Sequence, residues 1–156
     1  MKSKKIFVAI ISIITVALMV ATFMLCGAGG GKTANTQGIE YTPNSHGAYT
    51  VKSIGDCTDS KINIDTYNGK AVTRIGIEAF KYCSTITDVT IGNNVTSIGA
   101  GAFMGCSSLK TITISPKVTK IEPFAFYKCQ NLTIKCKAGS TAHIYALENG
   151  INFEKI

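Results

Sequence analysis

At 156 residues and 16.6 kDa the chain is long enough for one compact domain with a short appendage, and 46% hydrophobic against 16% charged residues exclude intrinsic disorder. The formal charge of +7 is concentrated at the start: Lys2, Lys4, Lys5 and Lys32 bracket one apolar run, and beyond Lys32 eleven Lys and one Arg face nine acids, a surplus of three without a basic cluster. That is an ordinary solubility charge, so nucleic acid is excluded as a partner; with no Trp and two His, no cofactor is expected either.

From Ile6 to Leu25 run twenty residues whose only polar members are Ser12, Thr15 and Thr22. A helix of that length crosses the roughly 30 Å hydrocarbon core at about 1.5 Å per residue. Lys2, Lys4 and Lys5 precede the run, so the positive-inside rule keeps the N-terminus in the cytoplasm and exports the residues after Leu25. Three fates fit residues 1–28: an uncleaved anchor spanning 6–25, cleavage near Ala28, or lipid attachment at Cys26. All three place the rest of the chain at the cell surface or beyond it.

Residues 29–47 are rich in Gly, Thr and Asn and read as a flexible tether. Cys26-Gly-Ala-Gly-Gly-Gly-Lys32-Thr33 imitates a phosphate-binding loop, but Cys replaces its first Gly and neither a short strand nor a helix flanks it. Nucleotide binding is not expected.

Residues 48–156 are organised by self-similarity. Val72-Thr-Arg-Ile75 with Ala79-Phe80 and Cys83 recurs as Val95-Thr-Ser-Ile98 with Ala102-Phe103 and Cys106. It recurs again as Val118-Thr-Lys-Ile121 with Ala125-Phe126 and Cys129, each step being 23 residues. Between the blocks lie Ile86-x-x-Val89-x-Ile91 and Leu109-x-x-Ile112-x-Ile114. Val89-Thr-Ile91 and Ile112-Thr-Ile114 alternate β-branched apolar and polar residues, the pattern of a short strand with one buried face. The Ala-Phe pair predicts a compact turn with Phe inward. One such coil cannot bury its apolar side alone, and stacking it on copies makes a continuous core with equivalent residues about 4.8 Å apart. The expected fold is an α/β solenoid, a short right-handed superhelix with parallel strands on one face.

The pattern L-x-x-I-x-I-P-x-x-V-x-x-I-x-x-x-A-F-x-x-C, read here as Leu109 through Cys129, resembles the BspA-like subclass of leucine-rich repeats. The proline is displaced by one position in this copy (Pro116), and Gly92-Asn-Asn replaces it in the preceding one. The resemblance implies an extracellular or surface-displayed binding scaffold, in a family associated with adhesion to host proteins and other cells.

Both ends read as caps. Tyr49-Thr-Val51 through Lys61-Ile-Asn-Ile64 suggests a strand pair, and Thr66-Tyr-Asn68-Gly69-Lys a turn; the 27 residues from Ile64 to Ile91 imply a four-residue insertion. Leu132 to Cys136 predicts a strand shortened by one residue, Ser140 starts a helix that Gly150 stops, and a last strand covers Ile151 to Ile156. Caps at both ends favour a stand-alone module.

Stacking places Cys83, Cys106 and Cys129 in one column beside Phe80, Phe103 and Phe126. Inert core thiols, one disulfide within the column, or a metal site are its three readings, the first favoured because three in a row cannot pair off and no His accompanies them. Cys57 and Cys136 fall in opposite caps. His46 and His143 have no Ser, Cys or carboxylate at a recognisable catalytic spacing, so an enzyme is not expected. Asn94-Val-Thr96 and Asn131-Leu-Thr133 match the glycan acceptor pattern but fall inside repeat positions. Tyr82, Tyr127 and Tyr145 are candidates for an exposed aromatic patch. Thr90 and Thr113 should stand side by side on the strand face with Thr87, Asp88, Lys110 and Thr111, a candidate partner-binding surface. The function expected is non-enzymatic: a surface-displayed module binding an extracellular protein or glycan, the alternative being a structural envelope protein with no specific ligand.

Overall fold

A computed structural model describes residues 37–156, and the expected membrane segment at 6–25 lies outside them. Among the described residues no helix is long and apolar enough to cross a membrane. The elements are β1 (Glu40–Pro43), β2 (Tyr49–Ser53), β3 (Lys61–Ile64), β4 (Thr66–Tyr67), β5 (Lys70–Ile75), β6 (Asp88–Ile91), β7 (Ser97–Ile98), β8 (Thr111–Ile114), β9 (Lys120–Ile121), β10 (Thr133–Cys136), α1 (Thr141–Glu148) and β11 (Asn152–Lys155).

The period-2 segments form the main sheet, in the order β11-β10-β8-β6-β3, all parallel. Its register follows the repeat: Ile62, Val89, Ile112, Ile134 and Phe153 align, as do Ile64, Ile91, Ile114 and Cys136. The first four residues of each row point inward and are buried.

A second sheet, in the order β1-β2-β5-β7-β9, lines the opposite side of the coil. Parallel strands on one face were expected, and the main sheet supplies them. The Val-Thr-x-Ile motifs add the second sheet, with Arg74↔Ser97↔Lys120 and Ile75↔Ile98↔Ile121 paired in parallel. Strands β7 and β9 are two residues long, too short for alternation to register in a sequence.

The N-terminal cap also differs from expectation. β2 does not pair with β3; it pairs antiparallel with β1 and parallel with β5, so β2 opens the second sheet and β3 the main one. β1 lies within the stretch read as tether. Ile39 is buried there, and the Tyr41 ring stacks on Tyr67 at 4.0 Å between centroids. The four-residue insertion is the β4–β5 hairpin, closed by Asn68 (φ 51°) and Gly69 (φ 72°), both left-handed as a type I′ turn requires.

The Ala-Phe segments are turns, and their Phe rings form the spine of the core. Phe80 and Phe103 stack at 4.9 Å and 5° between planes, Phe103 and Phe126 at 5.4 Å and 10°. Ring pairs of this kind contribute about 0.5–1.5 kcal/mol beyond their burial. Tyr145 of α1 meets Phe126 edge-on at 5.8 Å and ends the stack. The helix starts where its cap residue stands: the Ser140 hydroxyl accepts from His143 N–H, and Gly150 (φ 63°) follows its last turn.

Candidate binding surfaces

The outward positions of the main sheet form two straight rows, Lys61–Asp88–Thr111–Thr133–Asn152 and Asn63–Thr90–Thr113–Lys135–Glu154. Alternation along each strand sends these side chains out because their neighbours fill the core. Thr90 and Thr113 are direct register partners, as are Asp88 and Thr111. Thr87 and Lys110 sit at the strand entries, one coil apart, where Lys110 N–H donates to the Thr87 carbonyl at 2.8 Å. The Thr87 hydroxyl donates to Asp88 Oδ2 at 2.7 Å, which fixes both. Thr90 and Lys110 are exposed and the other four half-buried. Four of the six expected residues thus lie in register on the outward side of the main sheet, with Thr87 and Lys110 at the entries of β6 and β8.

Sequence reasoning missed how far that face extends. Asn63 continues it on one side; Lys135 and Glu154 close it on the other with an ion pair of 2.9 Å. An open groove of about 580 Å³ runs along the C-terminal strand ends, lined by Asn63, Thr90, Asn93, Thr113, Ser115 and Lys137 among others. Its floor is rigid: Asp65 Oδ1 accepts from the backbone and side-chain amides of Asn94 at 3.0 Å each, and the Ser115 hydroxyl donates to Asn93 Oδ1 at 2.6 Å. The Asn94 amide is therefore already engaged in the fold, which tells against a glycan there.

The thiols of the cysteine column are free, and each has a polar neighbour. Cys106 Sγ–H donates to the Phe80 carbonyl and Cys129 Sγ–H to the Phe103 carbonyl, each at 3.0 Å, while Cys83 Sγ lies 3.2 Å from the Thr85 hydroxyl. Cys83 and Cys106 are buried and Cys129 half-buried. The Cys106 thiol is pushed up, by its neighbour Cys129 and then by burial, whereas the Cys106 side chain beside it holds Cys129 below the ordinary thiol range. Burial raises Cys57 and Cys136 as well. Among the described residues no three His, Cys, Asp or Glu side chains are grouped to hold a metal ion.

The histidines serve structure. His143 Nδ1 accepts from Gly139 N–H at 3.1 Å, and its ring meets Phe153 edge-on at 4.7 Å. His46 lies 3.2 Å from the Ser45 hydroxyl in an exposed loop. Of the three candidate tyrosines, Tyr82 (65% exposed) and Tyr127 (52%) face solvent, and Tyr145 is buried in the cap. Phe124, 61% exposed and edge-on to Tyr127 at 5.8 Å, belongs to the same patch and escaped notice because the repeat pattern leaves its position unspecified.

Comparison with known proteins agrees with this architecture. No curated protein matches the chain. It is similar to a leucine-rich repeat protein of T. pallidum (TM-score 0.60, 22% identity, covering 67% of this chain and 53% of that one). It is also similar to a leucine-rich repeat protein of Bacteroides capillosus (TM-score 0.58, 24% identity, covering 80% and 99%). A leucine-rich cell surface protein of Faecalibacterium prausnitzii gives TM-score 0.50 at 25% identity, covering 76% and 38%. The chain thus spans about half the length of the first and under two fifths of the last. Residues 48–155 match the family described as BspA type leucine rich repeat region (6 copies). The strand rows, the Phe spine and the 23-residue step are this repeat in three dimensions, and the chain belongs to the BspA-type leucine-rich repeat family.

Proposed function

We propose that this protein is a non-enzymatic, surface-displayed module that binds an extracellular protein or cell-surface glycan through the outward face of its main sheet. The observation that carries the reading is the pair of in-register polar rows centred on Asp88–Thr111 and Thr90–Thr113, beside the groove at the strand ends. Such a face presents hydroxyls, amides and alternating charges on a rigid scaffold, so a partner meets donors and acceptors already held in place. The kinship with a leucine-rich cell surface protein supports a surface address, with residues 6–25 as the membrane anchor.

The test is attachment of the full-length protein to cell-surface preparations, with the double variant T90E/T113E as control. Two carboxylates side by side on an exposed row leave the core intact and repel an acceptor-rich partner. Saturable attachment that the variant loses supports the reading, and attachment that it retains excludes this face. Absence of attachment together with an envelope defect on deletion points to the structural role instead. Protease added to intact cells (permeabilised first where an outer membrane is present) should remove the repeat domain.

A further inference from the structure

The turns of successive coils are joined by a third ladder of hydrogen bonds, and that ladder ends open. Glu78 N–H donates to the Ala100 carbonyl at 3.0 Å, Phe80 to Ala102 at 2.7 Å and Tyr82 to Met104 at 2.7 Å. One coil on, Gly101 donates to Pro123 at 3.2 Å, Phe103 to Ala125 at 2.8 Å and Gly105 to Tyr127 at 2.8 Å. In the last coil the equivalent donors are Phe124, Phe126 and Lys128. Their backbone repeats the earlier shape: φ is 55°, 59° and 61° at Glu78, Gly101 and Phe124, and 58°, 70° and 62° at Tyr82, Gly105 and Lys128. The three N–H groups therefore point along the stack, away from its last coil.

The middle position is covered. The Tyr145 ring, delivered by α1, packs edge-on against Phe126 at 5.8 Å and covers this part of the end. The Phe124 and Lys128 N–H groups meet no acceptor among the described residues, and both residues line a groove of about 490 Å³ at this end. The groove also holds the exposed Phe124 and Tyr127 rings and the side-chain amides of Gln130, Asn149 and Asn152. Asn149 Nδ2 already donates to the Tyr145 carbonyl at 2.9 Å, which leaves its oxygen as an acceptor.

These groups set the chemistry of an occupant. A further coil, whether of a second copy or another repeat protein, would need the place that the buried Tyr145 ring fills against Phe126. An anion is poorly served, because the Lys128 ammonium is drawn over the Tyr127 ring at 5.6 Å. Backbone N–H groups are donors only, and in the two preceding coils they are met by amide carbonyls. Exposed rings take the polarised C–H face of a saccharide, and side-chain amides exchange hydrogen bonds with its hydroxyls. We propose that the C-terminal end of the stack binds a 2-acetamido sugar: its acetamido carbonyl accepts from the Phe124 or Lys128 N–H, its ring lies on Phe124 and Tyr127, and Gln130, Asn149 and Asn152 take its hydroxyls.

The experiment titrates ¹⁵N-labelled full chain in detergent with di-N-acetylchitobiose, N-acetyllactosamine and cellobiose. Either acetamido sugar should shift the Phe124 and Lys128 amide resonances saturably, and which of the two does so separates a wall-type from a host-type source. Cellobiose should not. F124G removes the ring where glycine suits the backbone, so its melting temperature should equal or exceed the parent's while affinity falls roughly tenfold. No shift with either acetamido sugar, equal shifts with cellobiose, or unweakened binding by F124G would each overturn the proposal. So would shifts of the same amides on raising protein concentration without sugar, which would assign this end to a second copy.

Discussion

The ring of Tyr82 fills the space that a Cβ on Gly105 would need: the added atom would sit 2.4 Å from Cδ1 and 2.7 Å from Cε1. Gly105 also has φ 70°, so this position of the middle coil carries both a steric and a backbone requirement. G105A should cost about 2–3 kcal/mol in urea unfolding, roughly one of them from the left-handed backbone. In Y82A/G105A the steric part should vanish and only the backbone part remain. If removing the ring restores nothing, the two residues do not clash.

Cys106 gives a second test. Were its column apolar, a Ser there would bury an unmet hydroxyl and cost more than Ala. The Phe80 carbonyl at 3.0 Å supplies an acceptor, so C106S should cost no more than C106A, each about 1–2 kcal/mol in a thermal melt. The parent's melting temperature should be unmoved by reductant or chelator. A Ser penalty well above that of Ala would show that the hydroxyl finds no partner.

The same thiols predict alkaline sensitivity. Cys57, Cys106, Cys136 and Tyr145 all have raised pKa, for Cys106 chiefly through the neighbouring Cys129 and for the others through burial. Above the ordinary thiol range, near pH 9, the unfolded chain has released protons that the folded chain still holds, so unfolding releases protons and stability falls as pH rises. Cys129, with its lowered pKa, opposes this, but it is one group against four. Unfolding free energy should decline as pH rises from about 9 to 10.5, and C106A should decline less. A rise through that window would refute the assignment.

The start of the folded unit can be tested by truncation. A chain beginning at Gln37 retains Ile39 and the Tyr41–Tyr67 stack, and one beginning at Ala48 loses both together with β1. The shorter chain should be less stable by about 2–4 kcal/mol. Equal denaturation midpoints would return residues 37–47 to the status of a tether.

The period, the Phe spine, the main sheet and the cap helix were legible because each rests on a local rule: a fixed 23-residue step, alternation in Val89–Ile91 and Ile112–Ile114, and Ser140 and Gly150 at the helix ends. The second sheet was not, since a two-residue strand has no period and its pairing is decided by the coil that stacks on it. β1 was hidden because Glu40–Pro43 carries a single inward anchor and the composition around it is that of a loop. Asp88, Thr90, Thr111 and Thr113 followed from alternation alone, with Thr87 and Lys110 next to them in the chain. The C-terminal groove did not, because Phe124 occupies a variable position of the repeat and its open N–H is visible only once the next coil is known to be missing.

The β4–β5 hairpin has one more effect. In a solenoid of identical units a coil can dock one unit out of place and satisfy nearly every contact, so the native arrangement competes with slipped ones. Here the hairpin lengthens the first coil by four residues, and the step from Ile114 to Cys136 is 22 residues against 23 from Ile91 to Ile114. Each coil is therefore labelled by its length. A slide by one whole unit would leave the Asn68–Gly69 loop inside the stack and throw the last strand out of phase, so these two irregularities hold the chain to a single alignment.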